Sequence, residues 1–254
     1  MVSETQTKNN IIGTQVADLT LDQTIGFIFD LITSEKKHQY IATINAQGIA
    51  NAATNPEFQQ AYNGAALTVA DGSGVIAASR IAGDPIKNRV IGRELFKRLY
   101  ALSAHHGVSI YILGAQEGIP QQAIANLEAQ YDIANIAGYY SPPNGFFKDQ
   151  AHPSLDEVIK DINSKQPSIL VLAGPEPYAT KWIADNIDRL DVNVAVNLGQ
   201  AVDVAAGIKA ECPHWISRIG MEWLWRGIKD PMIRGRYTDF PVLGYHALKQ
   251  RFSN

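Results

Sequence analysis

Short apolar runs alternate along the chain with longer stretches in which apolar residues recur every three or four positions. Six runs have the length and composition of buried strands: 40–45, 66–70, 109–113, 133–138, 168–173 and 192–198. Five stretches between them have helical spacing: 46–62, 93–106, 121–131, 154–164 and 180–190. This alternation predicts an α/β fold, Rossmann-like, with a mostly parallel sheet and helices on both faces.

Polar residues and glycines follow the predicted strands where each strand ends. They are Thr43, Asn45, Asp71, Gly114, Tyr139, Gly174 and Gly199. Ligands of such sheets bind at the carboxyl ends of the strands, so we expect the site there. The clearest loop, residues 141–145, contains two prolines and is placed to cover that site, and a plain surface turn is the alternative interpretation.

Length and composition indicate a folded, soluble or peripheral protein. The 254 residues are 46% hydrophobic, which is enough for a full core. A single cysteine, Cys212, excludes an internal disulfide, and the polar first ten residues lack the apolar core of a signal peptide, so a cytoplasmic location is favoured. We expect a flexible tail over 1–10, an α/β catalytic domain over 11–214 and a basic, aromatic helical appendage over 215–254.

The charge is unevenly distributed, although the net charge of −3 argues against a nucleic-acid partner. Residues 226–254 contain six basic and two acidic side chains among several aromatic ones. Such a segment suits an anionic surface, either the phosphates of a ligand or a membrane. The alternatives are a solvated helix whose aromatic side chains pack on the core, and a protein interface that forms a homo-oligomer.

Asp71 is the strongest candidate for chemistry. A carboxylate in a glycine-rich turn after an apolar strand is positioned to accept a proton from a bound hydroxyl, although an aspartate that caps the next helix has the same pattern. Gly114 opens a turn whose backbone N–H groups favour a phosphate. The three-glycine dinucleotide motif, the nucleophile elbow and the P-loop are missing, which disfavours a nicotinamide-dependent oxidoreductase, a hydrolase triad and an ATPase. The six scattered histidines predict no metal site.

Several short motifs occur in one order between about residues 11 and 237. They are Thr43-x-Asn45, Ala70-Asp71-Gly72-x-Gly74-Val75, Arg89-x-x-Gly92, Leu113-Gly114-Ala115, Gly138-Tyr139, Asp203-x-x-Ala206-Gly207 and Gly220-Met221-Glu222-Trp223-Leu224. This succession resembles the WecG/TagA/CpsF glycosyltransferases. The resemblance implies a GT-E-type fold and transfer of a sugar from a nucleotide diphosphate sugar, usually UDP-linked, with inversion and without a metal or cofactor. It also implies a hydroxyl acceptor, often polyprenol-diphosphate-linked, in polysaccharide synthesis, and peripheral membrane contact through the basic appendage.

The same resemblance implies roles for individual residues. Asp71 falls on the general base, and Thr43, Asn45 and Arg89 fall on the pocket around it. The residues expected at the nucleotide are Gly114, Ala115, Tyr139, Gly199 and Asp203. Three arginines of the appendage, Arg226, Arg234 and Arg236, are expected to close over the diphosphate.

The chain departs from the family pattern at positions near the same pocket. A Gln-Glu pair becomes Ala179-Thr180, a glycine becomes Gln200, and a Lys-Arg pair becomes Ala210-Glu211. Such changes fit an altered donor or acceptor, and they also fit an inactive member that binds a nucleotide sugar or another protein. The retained Asp71, Arg89 and Asp203 favour an active enzyme.

Overall fold

The computed structural model describes residues 8–149, 151–213, 215–216, 221–229 and 239–253, and gives the backbone alone for some residues of the last two helices. Its strands are β1 (Lys8–Ile11), β2 (Thr14–Ala17), β3 (Gln39–Ile44), β4 (Leu67–Ala70), β5 (Ile110–Gly114), β6 (Ile136–Tyr140), β7 (Ile169–Ala173) and β8 (Val194–Asn197). Its helices are α1 (Leu21–Thr33), α2 (Ala46–Ala52), α3 (Pro56–Asn63), α4 (Ser73–Ala82), α5 (Gly92–His106), α6 (Ile119–Glu128), α7 (Leu155–Lys165), α8 (Tyr178–Asn186), α9 (Ala201–Ala205), α10 (Glu222–Lys229) and α11 (Asp239–Ser253). Short 3₁₀ turns at Phe146–Lys148 and Ile187–Arg189 lie between β6 and α7 and between α8 and β8.

The strands form one sheet in the order β1-β2-β4-β3-β8-β7-β5-β6. Every neighbouring pair is parallel except the β1–β2 hairpin at one edge. The chain leaves β5 toward β6 on one side and leaves β7 toward β8 on the other, so the connections diverge between β5 and β7. Such a divergence opens a crevice at the carboxyl ends of the strands.

Alternate residues of the central strands enter two separate cores, one on each face of the sheet. Ala42 and Ile44 of β3 join the core built with α2, α3, α4, α7 and α8, whereas Ile41 joins the core built with α1, α5, α6 and α9. Burial on both faces explains why these strands have continuous apolar sequences rather than alternating ones. The predicted α/β class with helices on both faces is confirmed.

The β1–β2 hairpin was not predicted, because its strands are polar. Residues 8–10, assigned above to a tail, lie in β1, where every second residue is exposed. Asn9 is buried, and its Nδ2 donates to Asp84 Oδ1 at 2.6 Å. The backbone N–H of Asn10 donates to the other oxygen of the same carboxylate at 2.7 Å. Side-chain hydrogen bonds thus hold an edge strand that has little apolar sequence.

The single helix predicted over 46–62 is wrong, since the chain forms α2 and α3 with a break between them. Pro56 starts α3 because it has no N–H to donate to a preceding turn. Asn55 caps the new helix, and its side chain accepts from the Glu57 N–H at 2.9 Å. Helix α1 was not predicted, although Thr20 and Gln23 form a capping box that marks its start.

Helix α11 packs against α2 and α4. Leu243 and Ala247 of this helix are buried, and Gln250 bonds to the β1–β2 hairpin through Ile12 N–H at 2.6 Å and Asn10 O at 2.7 Å. The division into a catalytic domain and an appendage stays a prediction. Within the described part of the chain, no helix has the length and apolarity needed to cross a membrane.

Candidate functional site

Asp71 directly follows β4 at the carboxyl edge of the sheet. Its N–H donates to Ile44 O at 2.8 Å, which continues the pairing with β3 for one more residue. A methyl group added to Gly92 would lie 3.6 Å from Asp71 Oδ2, so the carboxylate lies beside the first residue of α5. The N-terminus of a helix attracts negative charge, so the start of α5 is a favourable place for a carboxylate.

Two more predicted residues end β3 and begin α2. Thr43 is buried, and its hydroxyl donates to Asn197 O at 2.7 Å, so it joins the ends of β3 and β8. Asn45 caps α2, and its Oδ1 accepts from Gly48 N–H at 2.9 Å. The backbone of Arg89 lies near the same edge of the sheet, because the next residue, Val90, donates its N–H to Ala70 O at 2.9 Å. The structure thus brings Thr43, Asn45, Asp71 and the backbone next to Arg89 together.

A second carboxylate, Glu176, lies at this edge in the turn after β7. Three neutral donors bond to it: Tyr62 Oη at 2.8 Å, Thr180 Oγ1 at 2.7 Å and Asn197 Nδ2 at 2.9 Å. Burial raises the pKa of Glu176 to about 7. The three hydrogen bonds oppose this increase in pKa, and the charge of Asp71 adds to it. Glu176 therefore changes its charge near neutral pH.

A cavity of about 480 Å³ opens where the connections from β5 and β7 diverge. Its wall includes residues of both strand ends, the 142–148 segment and α9 with the residues after it. The predicted residues Gly114, Ala115 and Asp203 lie in that wall, together with Lys148 and Lys209, which were not predicted. Two lysines and one carboxylate in a cavity of this size suit a ligand that combines phosphates with hydrogen-bonding groups.

The turn at the end of β5 needs its glycine. Gly114 has φ +116°, and a Cβ there would lie 2.6 Å from the carbonyl oxygen of Ala173. Ala115 follows in the left-handed region with φ 59°, and its N–H donates to Ala173 O at 3.1 Å. A non-glycine residue in that region is strained, and such strain is typical of functional turns. The glycine therefore lets the end of β5 approach the end of β7 closely at the wall of the cavity.

Burial raises the pKa of Asp203, which lies in the first turn of α9. The charge of Lys209 opposes this effect and favours the carboxylate. Among the described residues, no three His, Cys, Asp or Glu side chains are grouped so that they could hold a metal ion.

Comparison with known proteins identifies the fold's relatives. A model of the glycosyl transferase WecG/TagA/CpsF family matches residues 9–254. The chain belongs to this family. It is 24% identical over 245 residues to proteins of Staphylococcus aureus strains MW2 and NCTC 8325 / PS 47, each named N-acetylglucosaminyldiphosphoundecaprenol N-acetyl-beta-D-mannosaminyltransferase. The match covers 96% of this chain and 93% of each relative. The protein is therefore a glycosyltransferase, as the motifs indicated.

The remaining predicted site residues lie off the cavity wall or have no described side chain. Tyr139 lies within β6, is 43% exposed and is not part of the cavity wall. Gly199 also lies off the wall, and its N–H donates to Asn197 Oδ1 at 3.2 Å. Arg226 lies in α10 and only its backbone is described, and Arg234 and Arg236 lie outside the described residues. The loop predicted to cover the site does line it, through Pro142–Gly145.

The departures from the family pattern have distinct structural settings. Ala179 is fully buried and packs against Gly174, so this position holds no polar group. Thr180 occupies the position where the family pattern has a glutamate. It is buried, and its hydroxyl donates to a different carboxylate, that of Glu176, four residues earlier. Gln200 precedes α9 with a negative φ and is not part of the cavity wall.

Three functional candidates were missed in the sequence: Glu176, Lys148 and Lys209. Lys148 ends a short 3₁₀ turn and Lys209 lies in an irregular segment, and no periodicity of the sequence marks either residue. A usable signal existed for Lys209, because it immediately precedes Ala210-Glu211, where the family pattern has a Lys-Arg pair.

Proposed function

We propose that this protein is an inverting, metal-independent glycosyltransferase that uses a UDP-sugar and a hydroxyl acceptor. The observation that carries the proposal is a carboxylate, Asp71, at the same sheet edge as a cavity lined by Lys148, Lys209 and Asp203. Strands β4 and β7 are three spacings apart, about 14 Å. An elongated nucleotide diphosphate sugar fits along this edge with its nucleotide in the cavity and its sugar toward Asp71.

In the proposed reaction Asp71 accepts the proton of the acceptor hydroxyl. The hydroxyl oxygen forms a bond to the anomeric carbon from the face opposite the leaving group, and the bond from that carbon to the diphosphate oxygen breaks. UDP leaves with the electron pair, and the configuration inverts. A positioned carboxylate of this kind contributes a rate factor of about 10²–10⁴.

Positive side chains balance the charge that develops on the leaving diphosphate. Lys148 and Lys209 line the cavity, and we assign Arg89 and the appendage residues Arg226, Arg234 and Arg236 to the same task. Fixed cations stabilise such charge electrostatically, as a metal ion does in other transferases. Asp203 is assigned to hydrogen bonds with the ribose or the base.

We further propose a polyprenol-diphosphate-linked acceptor at the membrane surface, in the synthesis of a cell-surface polysaccharide. The names of the relatives support this acceptor and an N-acetylhexosaminyl donor. Helix α11 supports membrane contact, because its outer face exposes Val242, Tyr245, Leu248 and Phe252 beside Lys249. An apolar stripe with basic neighbours is typical of helices that lie in a membrane interface. A homo-oligomer stays a prediction.

Calorimetric titration with UDP, with and without a chelator, tests the donor assignment first. We expect micromolar affinity that the chelator does not change, and much weaker binding of uridine, because uridine lacks the groups that the lysines contact. No UDP binding would overturn the UDP assignment, and a loss of binding with the chelator would overturn metal independence.

Transfer assays with UDP-N-acetylhexosamines and a lipid-diphosphate-linked N-acetylglucosamine acceptor then test the reaction. NMR of the product gives the anomeric configuration, and retention of configuration would contradict the single displacement. Binding of UDP-sugars without transfer to any acceptor would instead support a nucleotide-sugar-binding module.

A further inference from the structure

Glu176 has no role in the reaction described so far, although three hydrogen bonds hold its carboxylate. Its three donors come from three different elements: Tyr62 from α3, Thr180 from α8 and Asn197 from β8. Oε1 accepts two of these bonds and Oε2 accepts the third. Convergence of this kind fixes the orientation of the carboxylate rather than leaving it to solvent.

Through its bond to Asn197, Glu176 also orders the turns that follow β7 and β8. While Asn197 Nδ2 donates to Glu176, its Oδ1 accepts from Gly174 N–H at 3.3 Å and from Gly199 N–H at 3.2 Å. Gly174 follows β7 and Gly199 follows β8, so one amide side chain holds both turns. Thr43 bonds to the backbone of the same Asn197, which joins β3 to this network.

Glu176 is also coupled to the proposed base, because the negative charge of Asp71 acts on it. The coupling is mutual: an ionised Glu176 makes a second negative charge at the site less favourable and so increases the proton affinity of Asp71. A base with greater proton affinity removes a hydroxyl proton more effectively.

On the basis of the proposed function, we propose that Glu176 is a positioning residue for transfer, whose ionised carboxylate orders the turns after β7 and β8 and strengthens Asp71 as a base. The enzyme is then active when both Glu176 and Asp71 are ionised. Transfer should increase with pH as Glu176 ionises, near pH 7.

The other charged or titratable groups of the surrounding elements have partners or positions of their own. Lys181 of α8 pairs with Asp185 at 2.8 Å and with Glu57 of α3 at 3.6 Å. Tyr178 lies under Lys148, with 5.0 Å between the ammonium and the ring centre. Tyr62 donates to Glu176 itself, and Arg89 is the cation next to the end of β4.

The test is the pH dependence of kcat for transfer in the full-length protein, compared with Glu176→Gln. The amide keeps an oxygen for the bonds from Thr180 and Asn197 but carries no charge and does not titrate. We expect the increase near pH 7 to disappear and the plateau value of kcat to fall about 3- to 10-fold, with the donor KM within about twofold. Glu128→Gln, on the exposed end of α6, is the matched control and should keep the wild-type profile.

A second variant tests the direction of the effect. Thr180→Val removes a bond that lowers the pKa of Glu176, so the increase in kcat should move to higher pH. A profile in Glu176→Gln that keeps the wild-type increase would overturn the inference while the proposed function stands. An inactive wild-type protein at every pH would overturn the proposed function, and the inference with it.

Discussion

Asp71 and Glu176 are two carboxylates at one sheet edge with opposite surroundings. Asp71 lies beside the start of α5, and the N-terminus of a helix attracts negative charge. Glu176 is held by neutral donors in a site where burial disfavours its charge. Two carboxyl groups of one site whose environments differ in this way commonly have different roles. Here they fit a base and a group that adjusts that base.

Asp71→Asn should abolish transfer while binding of the donor persists. The amide has nearly the same shape but cannot accept the hydroxyl proton, so kcat should fall by about 10²- to 10⁴-fold. Transfer rates and UDP calorimetry on the same preparation separate the two effects. Wild-type transfer rates in this variant would show that Asp71 is not the base.

Glu176 should also make the stability of the fold depend on pH. Its pKa is raised from 4.5 to about 7 in the folded protein, so the folded state binds more protons between these values. The stabilisation is therefore present below about pH 4.5 and is lost as the pH rises to about 7. Relative to Glu176→Gln, the wild type should lose about 2 kcal/mol between about pH 5 and pH 8. Urea unfolding at both pH values measures this, and equal changes in the two proteins would contradict the raised pKa.

Among the elements, the buried parallel strands were the most predictable from the sequence. Burial on both faces leaves runs such as Ile169–Ala173 apolar throughout, and the turn residues that follow them mark the carboxyl edge. Asp71, Thr43 and Asn45 were located on that basis. The β1–β2 hairpin could not be found in this way, since hydrogen bonds to Asp84 and Gln250, far away in the chain, hold its polar strands.

Glu176 was unpredictable for the same physical reason. It lies in a short Gly-Pro-Glu-Pro turn that has no periodicity, and its bond to Tyr62 joins residues 114 positions apart. The sequence shows that residue 176 is a glutamate, but the packing of α3 and α8 determines which donors converge on its carboxylate. Sequence reading therefore placed Asp71 at the carboxyl edge of the sheet, and missed the hydrogen-bond network around Glu176.

The turn after β5 offers a test of how this element forms the cavity. In Gly114→Ala the new methyl group would lie 2.6 Å from Ala173 O, in a backbone conformation that favours glycine. We expect a loss of about 1–3 kcal/mol in the free energy of unfolding, together with weaker UDP binding. Gly26→Ala, in α1 with open space around the new group, is the control and should gain up to about 1 kcal/mol. Urea unfolding of both variants decides the matter, and equal stability would show that the turn tolerates a side chain.

At the scale of the whole molecule, α11 connects the basic end of the chain to the site. It packs on α2 and α4, the helices that begin after Asn45 and after Asp71. Both of its faces are apolar: Leu243 and Ala247 are buried, whereas Tyr245 is 63% exposed. The composition of residues 226–254 predicted an interaction surface, but only packing shows which face of the helix stays available.

That available face should bind membranes that contain anionic lipid. The double variant Tyr245→Ser, Phe252→Ser removes two side chains that are 63% and 82% exposed, and each is expected to contribute about 1.5–3 kcal/mol when buried in an interface. Co-sedimentation with vesicles of phosphatidylglycerol and phosphatidylethanolamine should therefore fall at least about tenfold, while calorimetric binding of UDP stays unchanged. Ile133→Ser is the matched control, because Ile133 is 80% exposed on the segment before β6, away from α11. Unchanged sedimentation would contradict the membrane proposal, and a lower molar mass of the double variant in light scattering would assign this face to a second copy of the chain instead.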